Sequence, residues 1–210
     1  LDGKANIWER LTTDKTSLAI YTADELLALA ESDSVAVIRG WGAAHLLRPI
    51  AHGICVRVCA PVNVRVQRMM QRLNTDDAAF VANEIKLSEE AVTAITRRHF
   101  SVSWQHSDRY DLVLNTERVS VAECAEQLMT MIEDPEFQET ADSRQKLKDL
   151  ALESHVRAAL RADPRTAKSQ VSVCADRGTV TLIGTGGQDC TAEVASQVAA
   201  AVAGVKEVRT

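Results

Sequence analysis

The chain has 210 residues, of which 46% are apolar and 25% are charged, and its formal net charge is −5. These proportions resemble those of globular proteins and exclude wholesale disorder, and no uncharged apolar run approaches the roughly 18 residues of a transmembrane helix. The first residues lack the basic and then apolar segments of a signal peptide, which favours a cytoplasmic protein.

Charge is unevenly distributed along the chain. Residues 1–38 carry 3 basic and 7 acidic side chains, residues 39–118 carry 11 and 8, residues 119–143 carry 0 and 7, and residues 144–210 carry 10 and 7. Apart from Lys86, the basic residues of the second block are all arginines, whose planar guanidinium suits phosphate oxygens. A phosphate-rich ligand is therefore one interpretation of this block. The number of arginines alone favours the other, in which most of them are surface residues that keep the protein soluble. Neither basic block is clustered enough to predict a nucleic-acid partner.

In the first third of the chain, the sequence predicts four elements in the order helix, strand, strand, helix. Apolar spacing predicts a helix over residues 7–30, and a continuous apolar run predicts a strand over residues 35–38 that is buried on both faces and closed by Arg39. A second buried strand is predicted over residues 54–60. The helix predicted over residues 64–73 carries three arginines on one face, Arg65, Arg68 and Arg72.

The pattern continues with a helical region over residues 75–100 and a third buried strand over residues 110–116. Ser120 is placed to cap a helix that runs through Ile132. Strands thus alternate with helices three times, which predicts an open parallel sheet. Such sheets bind ligands outside the carboxyl ends of their strands, where three polar residues fall, Arg39, Asn115 and Thr116.

An acidic stretch with one proline follows this first domain, which we place at residues 1–133, and we assign residues 134–146 to a linker. Residues 147–210 predict a small α+β domain with the element order αββαβ. Its elements are a helix to Arg161, period-2 strands over 171–173 and 180–182 joined by a turn, an alanine-rich helix capped by Gly204, and a last strand over 205–209.

The cysteines and histidines do not predict a metal site. The five cysteines are scattered and form no C-x-x-C pair, and the five histidines form no metal-binding motif. Buried free thiols are the better interpretation of the cysteines, and we expect no site in which protein side chains alone hold a metal.

Five segments of the first domain resemble the cytidylate kinase-like family in sequence, order and spacing. They are VIRG (37–40), VRVCAP (56–61), RVQR (65–68), RRHF (97–100) and YDLVLNT (110–116), the last with Trp104 upstream of it. The likeness covers residues 7–132. It implies an α/β fold with a partial P-loop-kinase-like parallel sheet and flanking helices.

The resemblance also implies site residues. Arg39 would approach the phosphate of a nucleoside monophosphate, Arg65 would lie near ATP, and Arg97 and Arg98 would sit in the lid. Convergent arginines suit phosphoryl transfer, because its catalysis depends on positioning and on neutralising charge. Arg57 lies within a predicted buried strand, so we interpret it as a structural ion-pair partner.

The sequence departs from the family at the phosphate-binding loop. A P-loop has the pattern G-x-x-x-x-G-K-[ST], and none of the nine glycines fits it. Val92 stands where the family tends to place a further lid arginine. We therefore expect a strand and a P-loop upstream of Leu1. ATP and Mg²⁺ as cofactors, and a phosphotransferase activity, are expected only if that P-loop exists.

Residues 147–210 resemble the BON domain. The resemblance rests on DP (163–164), VSV (171–173), GTVTLIG (178–184) and VAGVKEV (202–208), with the helical residues 156–160 before them. It implies binding rather than catalysis. A protein, a small ligand and a phospholipid all stay open as the partner of this domain.

These features favour a nucleotide-binding domain for a CMP-like monophosphate, coupled to a BON module that regulates it or tethers it to a partner. The alternative is a non-catalytic scaffold or sensor protein that binds its partner through the BON domain. No nucleic-acid partner is expected, and a homo-oligomer is left open.

Overall fold

The computed structural model of the chain describes residues 15–32, 37–40, 42–100, 103–185 and 191–210. Its contacts divide the chain into two compact units. The central unit comprises Arg39–Thr140, and the C-terminal unit combines Leu1–Ile38 with Ala141–Thr210. The mixed α/β class predicted from the sequence is confirmed, with a small parallel sheet among helices and then a small C-terminal sheet domain.

The described elements are, in chain order, α1 (Lys15–Glu31), α2 (Ala43–Leu46), β1 (Val56–Cys59), α3 (Val62–Leu73), α4 (Ala78–Phe100), β2 (Leu112–Asn115), α5 (Val121–Glu133), α6 (Ala141–Ala162), β3 (Gln170–Asp176), β4 (Thr179–Thr185), α7 (Ala192–Ala200) and β5 (Glu207–Arg209). Short 3-10 helices precede β2 and α6, at Ser107–Arg109 and Pro135–Phe137.

The parallel sheet of the central unit consists of β1 and β2, which pair from Val56 opposite Leu112 to Cys59 opposite Asn115. Both strands lie where the sequence predicts them, but the prediction that they are buried on both faces is wrong. Leu114 is buried, whereas the Val58 side chain on the same face is 65% exposed. In the described part the sheet has only these two strands, and so narrow a sheet leaves much of its apolar surface uncovered.

The strand predicted over residues 35–38 is not formed where the structure can test it. Residues 35 and 36 lie outside the described residues, and Val37 and Ile38 have no regular secondary structure. Val37 is largely exposed, and no described strand pairs with this segment. An apolar run makes a strand only where a partner strand accepts its backbone hydrogen bonds, and sequence alone does not supply that partner.

Helix α5 begins with the cap that the sequence predicts. The Ser120 hydroxyl accepts a hydrogen bond from the Glu123 backbone N–H at 3.2 Å, and the Glu123 carboxylate accepts one from the Ser120 backbone N–H at 2.9 Å. This reciprocal pair is a capping box, which satisfies two N–H groups that the helix leaves without internal partners.

We predict that Ser120→Ala destabilises α5 by about 1 kcal/mol, the usual cost of losing an N-cap.

The same capping box depends on pH. The hydrogen bond from the Ser120 backbone N–H, and to a smaller extent the Ser120 hydroxyl, lower the pKa of Glu123. The box therefore stabilises the fold above the unfolded pKa of that carboxyl and is lost as the pH falls through its lowered value. Hydrogen exchange of α5 between pH 3 and 6 measures both effects. Ser120→Thr, which keeps the cap, is the control, and equal exchange in Ser120→Ala and wild type would rule out the cap's contribution.

The C-terminal unit contains a three-stranded sheet in the order β3–β4–β5. The predicted hairpin is confirmed, with β3 and β4 antiparallel and with Asp176 opposite Thr179. Its two-residue turn places Arg177 and Gly178 at φ of 50° and 92°, and a side chain at Gly178 would come within 2.9 Å of Lys206. The predicted last strand is also confirmed as β5, parallel to β4.

The core of this unit lies between one face of the sheet and the two helices α6 and α7. Its buried members are Leu152, Val156, Leu160, Val173, Val180, Leu182, Ala195 and Ala199. Two predicted bounds differ from the structure. Helix α6 already begins at Ala141, inside the predicted linker, and α7 ends at Ala200, so that Gly204 (φ 92°) serves the turn before β5 rather than a helix cap.

No helix among the described residues is long and apolar enough to cross a membrane.

Candidate functional site

The candidate site lies at the carboxyl ends of β1 and β2, the edge at which open parallel sheets bind ligands. The backbone of the two strands stays joined just past their last paired residues, because the Thr116 N–H donates to the Cys59 carbonyl at 2.9 Å. The buried Thr116 hydroxyl also donates to that carbonyl, at 3.3 Å. The two strand ends therefore form one continuous edge.

Helix α3 follows β1 at this edge, and the side chain of its Arg68 reaches back to the end of β2. The Arg68 guanidinium donates from Nη1 to the Thr116 hydroxyl at 2.8 Å and from Nη2 to the Thr116 carbonyl at 2.6 Å. This pair of hydrogen bonds fixes the first turns of α3 against the end of β2. The predicted shared face of the α3 arginines brings Arg68 to this position.

Arg65 occupies the same edge, one helical turn before Arg68. Its Nε donates to the Ala60 carbonyl at 3.0 Å, and its Nη1 lies 2.5 Å from a carboxylate oxygen of Glu89 on α4. Both side chains of this ion pair are about one third exposed, so it orients the guanidinium more than it stabilises the fold. These two contacts hold the guanidinium in one orientation, and the Glu89 carboxylate already accepts from one of the terminal nitrogens that a phosphate would use.

The other predicted arginines are not joined to this cluster. Arg39 is exposed in a segment without regular secondary structure, and Arg97 is exposed on α4. Contacts within the described part link Arg65 to Ala60 and Glu89 and do not link it to Arg39 or Arg97. Arg98 lies on α4, but its side chain falls outside the described residues. The roles of Arg39, Arg97 and Arg98 therefore stay predictions.

Arg57 differs from the structural ion-pair partner that the sequence predicts. Its guanidinium carbon lies 5.2 Å from the centre of the Trp104 ring, and it donates a hydrogen bond to the Gln105 carbonyl. Its Nε is buried and has no hydrogen-bond partner within the described part of the chain. The arginine is thus held by the face of an aromatic ring, a partner that a search for acidic residues does not reveal.

Trp104 connects the loop before β2 to helix α4. Its indole N–H donates to the Thr93 hydroxyl at 2.9 Å, and the Tyr110 hydroxyl donates to the Trp104 backbone carbonyl at 2.8 Å. These contacts join Trp104 to helix α4 and to the segment that begins at Tyr110. They fix the loop that leads into β2 and so help to place Thr116 at the site.

At the amino ends of the two strands, Asp111 links the segments that lead into β1 and β2. One oxygen of its carboxylate accepts the Cys55 backbone N–H at 2.7 Å, and the other accepts a hydrogen bond from Arg48 at 3.2 Å. Cys55 is buried and donates its thiol to the Ala44 carbonyl. Burial, and after it the Asp111 charge, raises the pKa of this thiol.

The expected buried thiols are found at Cys55 and Cys124, whereas Cys174 on β3 is exposed, and Cys190 lies outside the described residues. We predict that iodoacetamide alkylates Cys174 at least tenfold faster than Cys55, because only the thiolate reacts and Cys55 is both covered and hard to ionise. Peptide mapping by mass spectrometry measures each site separately. In urea the two rates should converge, and equal rates in the native chain would contradict the burial of Cys55.

No group of three histidine, cysteine or acidic side chains in the described ranges is placed to hold a metal ion. The C-terminal unit has a separate cavity of about 390 Å³ beside β4 and α7. The described residues that line it are Val171, Thr181, Leu182, Ile183, Gly184, Thr191, Ala192, Ala195 and Thr210, none of which has a charged side chain. This cavity therefore offers no charged side chain to a phosphate.

Two family models match the chain. The model of the cytidylate kinase-like family matches residues 6–118, which are more than half of the chain, and the model of the BON domain matches residues 148–210. Both resemblances seen in the sequence, and their order along the chain, are thereby confirmed. No curated protein and no solved structure matches this sequence.

Proposed function

Because this chain belongs to the cytidylate kinase-like family and carries a BON domain at residues 148–210, we propose that it binds a nucleoside monophosphate such as CMP through its first part. The BON domain then regulates this binding or tethers the nucleotide-binding part to a partner. The proposal is for a bacterial-type protein that acts in the cytoplasm.

The observation that carries the proposal is the cluster at the carboxyl ends of β1 and β2. Arg65 and Arg68 reach this edge from one helix, and each is oriented by hydrogen bonds to strand-end carbonyl groups. Guanidinium groups bind phosphate oxygens through charge-assisted hydrogen bonds. A phosphate at this edge would use the N–H groups that these contacts leave, or would displace Glu89 from Arg65. By resemblance, Arg65 would lie near ATP, Arg39 would approach the monophosphate, and Arg97 and Arg98 would sit in the lid.

Phosphoryl transfer is a further step of the proposal, and it depends on a P-loop that these 210 residues do not contain. With a P-loop upstream, ATP and Mg²⁺ would supply the transferred phosphoryl group and its charge neutralisation. The residues of this chain would then bind and orient the acceptor monophosphate.

A second candidate function is a non-catalytic scaffold or sensor whose partner binds to the BON domain. The ion pair between Arg65 and Glu89 favours this second candidate. One terminal nitrogen of the guanidinium already donates to a carboxylate, so fewer of its N–H groups are left for a phosphate. Such a protein would keep the cluster as a structural connection between α3, α4 and the strand ends.

An isothermal calorimetric titration separates the two candidates. We expect CMP to bind the full chain saturably with one site, more tightly than a nucleoside without phosphate. Titrations with the other monophosphates and with ATP identify the base preference. Absence of saturable heat with every monophosphate and with ATP would favour the scaffold.

A further inference from the structure

Helix α6, most of which lies within the BON match, is buried on two opposite faces. One face carries Leu152, Val156 and Leu160 into the sheet core. About half a turn away, a second buried row contains small side chains, Ala151, Ser154 and Ala158, with Ser143 and Leu147 on the same side. None of this second row belongs to the sheet core.

The second face of α6 packs against α1. Leu27 of α1 is 2% exposed and Leu26 is buried beside it, whereas Leu29 on the other side of α1 is 45% exposed. Contacts between α1 and α6 are among the most extensive between elements of the chain. Small side chains on one helix let the backbone of another approach closely, so the row on α6 accommodates the leucines of α1.

Polar contacts fix the register of the two helices. The His155 ring nitrogen Nδ1 lies in hydrogen-bonding contact with the Asp24 carboxylate, and Arg161 donates to the Ser17 hydroxyl. Asp24 and Ser17 are two turns apart on one side of α1, and their partners lie at the edge of the same α6 face. The contact therefore has a defined direction as well as an apolar centre.

Two observations separate α1 from the BON domain itself. Its sequence belongs to the part matched by the cytidylate kinase-like model, which covers residues 6–118, and the BON match begins only at residue 148. The sheet core of the BON domain includes no residue of α1. The domain thus completes its core without this helix and then binds it on a separate face.

We infer that the second face of α6 is a helix-docking surface and that α1, from the kinase-like part of the same chain, is its partner. The surface fits an amphipathic helix with buried leucines and one acidic side chain opposite His155, which is recognition of a helix in a groove. This names a partner for the BON domain within the proposed function. Its test uses no nucleotide, so either proposal can fail alone.

The test compares the full chain with three variants, which are Leu27→Ala, Leu29→Ala and the double variant Leu27→Ala with Ala158→Leu. A labelled peptide with the sequence of residues 15–32 is the probe, read by fluorescence anisotropy, and hydrogen exchange reports on α1 and on the sheet. In Leu27→Ala we expect faster exchange in α1 with unchanged protection in β3 and β4. That variant should bind the peptide at least tenfold more tightly than wild type, whose surface is occupied by its own helix.

The matched control, Leu29→Ala, removes an equal side chain from the exposed side of α1 and should behave as wild type. The double variant, Leu27→Ala with Ala158→Leu, fills the α6 face and should not bind the peptide, while its sheet stays protected from exchange. If β3 and β4 lose their protection from exchange together with α1, then α1 is part of the domain core and the inference is overturned. Unchanged α1 exchange in Leu27→Ala, or released α1 without peptide binding, would overturn it as well.

Discussion

Leu182→Ala is expected to lower the free energy of unfolding of the C-terminal unit by about 2–5 kcal/mol. Leu182 lies on the inner face of β4, is 6% exposed, and belongs to the core between the sheet, α6 and α7. Alanine at this position removes buried apolar surface and leaves a cavity that close-packed neighbours fill only in part. The loss would be a large fraction of the stability of an ordinary domain.

The neighbouring residue Ile183 provides the control, since successive side chains of a strand point to opposite faces. Ile183 is 60% exposed on the outer face, and Ile183→Ala should change stability by less than about 1 kcal/mol. Native-state hydrogen exchange of β3 and β4 measures the C-terminal unit without interference from the central unit. Equal effects of the two substitutions would contradict the assignment of faces.

Arg39→Ala is expected to weaken CMP binding by about 1.5–3 kcal/mol, the scale of a hydrogen bond to a charged group. This corresponds to a loss of roughly 10- to 150-fold in Kd. The prediction rests on the match of Arg39 to the family motif, because the strand expected before it is not formed at Val37 and Ile38. Its exposed side chain is accessible to a ligand.

Calorimetric titration of the variant with CMP measures this change directly. Arg72→Ala is the matched control, because Arg72 is also exposed and its loss changes the net charge equally. A general effect of charge would weaken binding to the same extent in both variants. Unchanged affinity in Arg39→Ala would remove Arg39 from the site while leaving Arg65 and Arg68 to be tested.

Local signals were sufficient for the elements whose stability is local. The β3–β4 hairpin follows from period-2 apolar residues on either side of a turn in which Gly178 can adopt a positive φ. The α5 capping box follows from Ser120 three residues before Glu123. In both cases the residues that determine the structure lie within a few positions of one another.

Long-range features could not be predicted in the same way. An apolar run predicts that β1 is buried on both faces, but it carries no information on how many strands lie beside β1 in the sheet. The apolar side of α1 does not indicate that α6 covers it. Amphipathic spacing identifies which face of a helix is buried, but not the element that buries it. Arg57 and Glu89 likewise have partners distant in sequence, Trp104 and Arg65.

Hydrogen–deuterium exchange of the full chain with and without saturating CMP tests the central claim most directly, because it locates the ligand as well as detecting it. We predict slower exchange at residues 59–65, where β1 passes into α3, and at residues 115–118, which follow β2, with no direct protection of β3 to β5. Protection confined to the C-terminal sheet, or no change anywhere at a CMP concentration that saturates a cytidylate kinase, would contradict a nucleotide site at the carboxyl ends of β1 and β2.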